Sequence, residues 1–147
     1  MDPNDGGTDS RVFWQLRRAF YAVDAEKERR LRGTGVSGPH YAVLMHVHLN
    51  AGISSAELAR RLQVSPQNIA GLVSRLEDMG WLERRTHPRH RHVRELYLTE
   101  AGERARRESD TVILGIEEEI VEALGDHGPG VREALAALRK AFGDTGP

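Results

Sequence analysis

Between Ser54 and Gly80 the chain spells out two short amphipathic helices with almost nothing between them. Ser54-Ser55-Ala56-Glu57 has the Ser-x-x-Glu spacing of a capping box, in which each end residue's side chain satisfies a free backbone N–H of the other. Leu58, Ala59 and Leu62 then share one face of a helix of roughly two and a half turns. Gln63-Val64 leave room only for a tight break. Ser65 caps a second helix with Pro66 at its first position, where a missing N–H costs nothing. Ile69, Leu72, Val73 and Leu76 repeat at i, i+3, i+4, i+7, and Gly80 stands where a left-handed C-cap residue belongs. Two short helices across a tight turn form a helix-turn-helix pattern.

The flanking segments supply the rest of one domain, which is what 147 residues can hold. Residues 1–8 have too little apolar content to fold and read as a loose arm. Asp9 or Ser10 is expected to cap a first helix carrying Val12, Phe13, Leu16, Phe20 and Val23, which runs to about Arg32 and breaks at Gly33-Thr34-Gly35. A second helix begins near Pro39, carries Tyr41, Leu44, Met45 and Val47, and stops at Asn50-Ala51-Gly52. After Gly80, Trp81 to Arg85 and Arg91 to Leu98 read as two strands of a hairpin turning through 86–90. Thr99 opens a long helix with Val112, Ile116, Ile120 and Leu124 every four residues, ending at Gly125. A last helix after Pro129 presents Val131, Leu135, Leu138 and Phe142 at core spacing and closes at Gly143.

The expected fold is therefore mainly α with a small β-hairpin wing. No run of apolar residues long enough to span a bilayer occurs, and the first thirty residues carry charges where a signal peptide needs an apolar stretch, so the expectation is a cytoplasmic protein without membrane contact. With no cysteine there is no disulfide, thiolate metal site or thiol nucleophile. Phosphate-cradling glycine motifs, His-Glu-x-x-His and a nucleophile elbow are also missing, and Glu117, Glu118 and Glu119 form a continuous solvated run, so an enzyme is not expected and no cofactor is implied.

The formal net charge of −1 conceals an asymmetry. Basic residues outnumber acidic ones by three over 54–98 and are outnumbered by five over 99–147. Arg84 to Arg94 alone holds five arginines, three histidines and no acid. With Ile69, Leu72, Val73 and Leu76 turned inward, Gln67, Asn68, Gly71, Ser74 and Arg75 lie outward beside Ser65. Gln and Asn match the edge of adenine, Arg that of guanine, and Gly71 permits close approach, so this helix suits the major groove of double-stranded DNA. An ordinary amphipathic surface helix would show a similar face. The wing favours DNA: Arg89 and Arg91 at its tip could enter a narrow minor groove. Arg84 and Arg85 are either phosphate contacts or solubilisers of the hairpin.

The run from Ser54 to Ser65, then Leu72 to Arg85, then Leu96-Tyr97-Leu98-Thr99-Glu100-Ala101-Gly102 resembles the MarR family of multiple antibiotic resistance regulators, over about residues 10–142. The resemblance implies one domain in which 9–33 and 99–143 are dimerisation helices and 37–98 a winged helix-turn-helix lobe, acting as a homodimeric, ligand-responsive repressor on a palindromic operator. It also implies that small aromatic or phenolic effectors bind between the lobe and the dimer helices and weaken DNA binding. By family position and residue type, Phe13, Trp14 and Arg17 with His40, Tyr41 and Met45 are the candidates to line such a pocket; the alternative is that Phe13, Tyr41 and Met45 are core and Trp14 packs at the dimer seam. In the wing the common family pattern is Asp-Pro-x-Asp-Arg-Arg, whereas this chain has His87-Pro88-Arg89-His90-Arg91-His92. Arg91 matches the wing arginine, and His90 replaces the aspartate that orients it.

Dimerisation also follows from physical grounds: the terminal apolar stripes exceed what one chain can cover, and a single helix-turn-helix buries little DNA surface. His87, His90 and His92 could bind a transition metal, but a tight hairpin rarely aims three side chains inward and no carboxylate or cysteine within 87–92 completes a tetrahedral set, so no metal is expected. His46 and His48 point to different sides of their helix, while His40 and His48 face either the cleft or ordinary half-buried surroundings. The rival to a DNA-binding regulator is a winged-helix module that binds another protein.

Overall fold

The structure, a computed structural model, describes residues 7 and 9–143. The expected arm at 1–8 lies, Gly7 apart, outside the described residues. Helix α1 spans Val12–Leu31 and passes through a 3-10 turn at Arg32–Thr34 into α2, Gly38–Leu49. A two-residue strand β1, Ile53–Ser54, precedes α3, Ser55–Leu62, and α4, Pro66–Asp78. Strands β2, Leu82–Thr86, and β3, Arg94–Leu98, form the wing, followed by α5, Glu100–Leu124, and α6, Gly128–Phe142. No helix among the described residues is long and apolar enough to cross a membrane.

Four helices start on a short hydroxyl side chain. The Oγ atoms of Ser37, Ser54 and Ser65 accept from the N–H groups of His40, Glu57 and Asn68 at 3.3, 3.2 and 3.2 Å, and Thr99 Oγ1 accepts from Gly102 at 3.0 Å. Two expectations fail here. Helix α1 is capped by neither Asp9 nor Ser10: Arg11 occupies the cap position, and its side chain does not accept from the first helical N–H groups. A turn closed by Ser10 N–H on Gly7 O leaves the Ser10 hydroxyl donating to that same carbonyl, and Asp9 pairs with Arg18. The capping box at 54–57 is only half made. Arg60 and Arg61 draw the Glu57 carboxylate along the helix, a charge-assisted pairing stronger than a bond to a neutral N–H, and hold its pKa down at about 2.

Between α3 and α4 the chain reverses through Gln63, the single non-glycine residue with positive φ among the described residues, at +52°. Helix α4 ends in a Schellman motif: Gly80 (φ +76°) and Trp81 donate to Glu77 O and Leu76 O, both at 2.9 Å. That turn aims the chain into β2. The sheet order is β1-β3-β2, all antiparallel, with Ile53 opposite Leu96, Arg84 opposite Leu96 on the other side, and Thr86 opposite Arg94. The third strand was not expected, because two residues cannot show an alternating pattern. The second wing strand starts at Arg94 and not at Arg91, since bonds from His87 N–H to Val93 O and from Val93 N–H to His90 O fold 87–93 into the tip.

The core sits under the helix-turn-helix: Val43, Leu44, Val47, Leu58, Ile69, Val73, Leu76, Leu82 and Leu96 are buried against one another. The long helix reaches this core at its start, where a Cβ on Gly102 would lie 2.0 Å from Trp81 O. Elsewhere the terminal helices stand open. Val12, Phe13, Phe20 and Phe142 are 74, 65, 62 and 85% exposed, and a groove of about 330 Å³ runs between Val12, Leu16 and Ala19 of α1 and Val131, Leu135 and Leu138 of α6. Within one chain, Leu135 and Phe142 are thus exposed positions despite their core spacing; helical periodicity identifies an apolar face and not what covers it.

Candidate nucleic-acid interface

Burial of Ile69, Val73 and Leu76 turns the opposite side of α4 to solvent. Ser65, Gln67, Asn68, Gly71, Ser74 and Arg75 are all exposed there, and Arg84, Arg89 and Arg91 are exposed on the wing. Two hollows flank this ridge. One, of about 380 Å³, is lined by Pro39, Val64, Gln67, Asn68, Gly71, Leu72 and Arg75; the other, of about 550 Å³, lies between α4 and the wing and takes in Ser74, Glu77, Asp78, Arg84 and Arg94. No atom lies within 4 Å of a Cβ placed on Gly71, so the ridge is flat at its centre.

The arginines of the face divide by their partners. Arg75, Arg89 and Arg91 have no carboxylate partner among the described residues, and their charge is available to an anion. Arg84, by contrast, donates Nε to Glu77 at 2.6 Å, tying the wing to α4. Arg85 pairs with Glu83 and lies 4.1 Å above the Tyr97 ring. Arg94 also lines the hollow beside Ser74, a placement that its position as the last arginine of the run from Arg84 signals.

Beneath the lobe, α2 meets α5 through a polar network. Tyr41 Oη donates to Asp110 at 2.7 Å, and Arg106, 9% exposed, binds Glu103 at 2.6 Å and approaches Asp110 at 3.7 Å and Met45 Sδ at 3.8 Å. His48 Nδ1 lies 3.1 Å from Glu103. Burial, then the bond to Asp110, pushes the Tyr41 phenol above its ordinary pKa. His40 has a buried Nδ1 without a partner; burial and then the nearby Arg75 charge lower its pKa, so the ring is neutral at physiological pH.

The six residues expected to line an effector pocket are not brought together within one chain. Tyr41 and Met45 face α5, and His40 faces α4. On α1, Phe13 and Trp14 pack edge to face at 5.2 Å, and Arg17 lies 4.9 Å above the Tyr21 ring. The hollows described above include none of the six. In the wing, His90 lies between His87 and His92 at ring separations of 5.0 and 6.1 Å, and among the described residues no group of three such side chains is placed to hold a metal ion.

Residues 34–91, the helix-turn-helix and most of the wing, match the sequence profile of the MarR family. Over this segment the chain is similar to the MarR family. The HTH-type transcriptional repressor Rv2887 of Mycobacterium tuberculosis is 26% identical over 136 residues, covering 92% of this chain and 96% of that protein. The structure of Rv2887 in complex with salicylic acid superposes with a TM-score of 0.69 at 25% identity, over 94% of this chain and 98% of that one. CouR bound to a 23-mer DNA duplex superposes with a TM-score of 0.81 over 93% of this chain and 95% of CouR; at 22% identity this likeness shows the fold alone.

Proposed function

We propose that this chain is a sequence-specific, DNA-binding transcriptional repressor that acts as a homodimer on a palindromic operator and is released by a small aromatic or phenolic effector. One observation carries the DNA reading: α4 keeps Ile69, Val73 and Leu76 in the core while Gln67, Asn68, Ser74 and Arg75 face solvent between two hollows, with the unpaired Arg89 and Arg91 on the adjoining wing. A helix so arranged offers hydrogen-bonding side chains to base edges, and the wing offers positive charge to a neighbouring groove. The exposed aromatic and aliphatic face of α1 and α6 supports pairing with a second copy, which would put two copies of α4 about 34 Å apart, one turn of B-DNA. Arg17 between Trp14 and Tyr21 suits a planar anion once a partner closes over that face.

The test is a gel shift with the DNA upstream of the chain's own coding sequence at two salt concentrations, with and without salicylate. Phosphate-driven specific binding weakens steeply as salt rises and exceeds binding to random DNA. Absence of DNA binding at low salt would favour a winged module that docks on protein.

A further inference from the structure

The wing closes on a histidine. Beyond the last register pair, Thr86 with Arg94, the tip is held by His87, whose Nδ1 accepts from the backbone N–H of Arg89 at 3.1 Å and of His90 at 3.0 Å. A ring nitrogen that accepts carries no proton, so in the neutral ring the proton sits on Nε2, which faces Glu95 Oε1 at 3.6 Å. Glu95 is itself anchored: its Oε2 accepts from Tyr97 Oη at 2.6 Å, and its register partner Arg85 covers the Tyr97 ring. Tyr97 in turn abuts the Gly52 turn (φ +89°), where an added Cβ would stand 3.1 Å from its hydroxyl. A continuous chain of contacts thus runs from the sheet through Tyr97 and Glu95 to His87, and from His87 to the backbone that carries Arg89.

We propose that His87, braced by Glu95, is the positioning residue of the wing, setting the direction of Arg89 and Arg91 toward DNA, and that it does so only while its Nδ1 is unprotonated. The proposal rests on the DNA-binding reading above. A carboxylate in this place would accept both N–H groups at any pH above about 5, whereas an imidazole that takes a second proton turns its acceptor into a donor and opposes the same two N–H groups. The charged and titratable groups placed against the ring are Glu95 on β3 and His90 in the tip; behind them, Arg85 on β2 lies opposite Glu95, Arg94 lies next to Glu95 along β3, and the His92 ring is 6.1 Å from that of His90. Losing the tip turn does not require unfolding of the sheet, because the ladder from Leu82–Leu98 to Thr86–Arg94 stays paired.

Two variants separate the roles. His87→Asn keeps an acceptor that does not titrate; His87→Ala removes it. Backbone amide exchange at Arg89 and His90, corrected for intrinsic rates, is followed by NMR at about pH 8 and about pH 5.5, across the range in which imidazoles gain a proton. Affinity for the upstream duplex is measured at the same two values and constant ionic strength. The expected result is exchange about tenfold faster and binding about tenfold weaker in His87→Ala at the higher pH, both restored to within about threefold by His87→Asn. Wild type loses protection at the lower pH and His87→Asn does not. His90 and His92 are present in both proteins, so any contribution from them cancels in the comparison. Unchanged exchange in His87→Ala, or parallel pH profiles for wild type and His87→Asn, overturns the proposal. Should wild type bind no DNA at either pH, the DNA reading fails while the exchange data still decide whether His87 holds the tip.

Discussion

Tyr41 donates its hydroxyl to Asp110 across 2.7 Å, joining the first helix of the winged lobe to the long helix that leaves it. The bond bridges 69 positions of sequence, and His48 Nδ1 meets Glu103 across the same seam at 3.1 Å, so the lobe is fastened to α5 by hydrogen bonds to carboxylates and not by apolar packing alone. Tyr41→Phe is expected to lower unfolding free energy by about 1 kcal/mol, read from urea denaturation; the partial exposure of the pair keeps the loss below the usual range for a bond to a charged group. Because the phenol's pKa is raised in the folded state, its stabilisation is fully present at neutral pH and is lost as pH rises through the folded value. The wild-type advantage over Tyr41→Phe should therefore be fully present around neutral pH and shrink in strong alkali.

Gly102→Ala tests how closely α5 approaches the lobe. The new methyl would meet the Trp81 carbonyl at 2.0 Å, a backbone atom that cannot swing away, at the N-terminal turn of α5 that Thr99 caps. Overpacking of this kind costs about 1–3 kcal/mol, and the midpoint of thermal unfolding should fall accordingly. An unchanged midpoint would mean that the helix start shifts freely.

Arg75→Ala should reduce preference for the operator over random DNA by about 1–3 kcal/mol, the range for loss of a base contact. Competition binding with the two DNAs measures it. Equal loss on both would assign Arg75 to phosphate.

Arg91→Ala removes an unpaired charge from the wing. Binding should weaken on all sequences, with the slope of log affinity against log salt reduced by about one unit, while sedimentation still reports dimers. Monomers would show that the wing lies at the subunit interface.

Phe13→Glu places a charge on the open face of α1, where the phenylalanine is 65% exposed in a single chain. Helix content by circular dichroism should be unchanged, and sedimentation should show monomers with operator affinity reduced at least about tenfold, since one helix-turn-helix buries too little DNA surface for tight binding. A dimer of wild-type strength would place the interface elsewhere.

The helix-turn-helix was legible because its signals act within a few residues. Ser54, Ser65 and Thr99 cap the helices they precede, the spacing of Ile69, Val73 and Leu76 buries the side it names, and the polar side of α4 is therefore exposed as expected. Where two local readings compete, the stronger interaction decides, and at Glu57 the arginines overrule the capping box.

What residue order alone determined is which segments become helices and which face of each is apolar, since caps and periodicity depend on neighbours three or four positions away. The fold decided the rest: that Ile53–Ser54 completes a sheet, that Arg84 is tied to Glu77 while Arg75 has no carboxylate partner among the described residues, that Tyr41 is bound to Asp110, and that His87 closes the wing. These outcomes turn on electrostatic and hydrogen-bond distances between groups far apart along the chain. Only three-dimensional packing sets such distances.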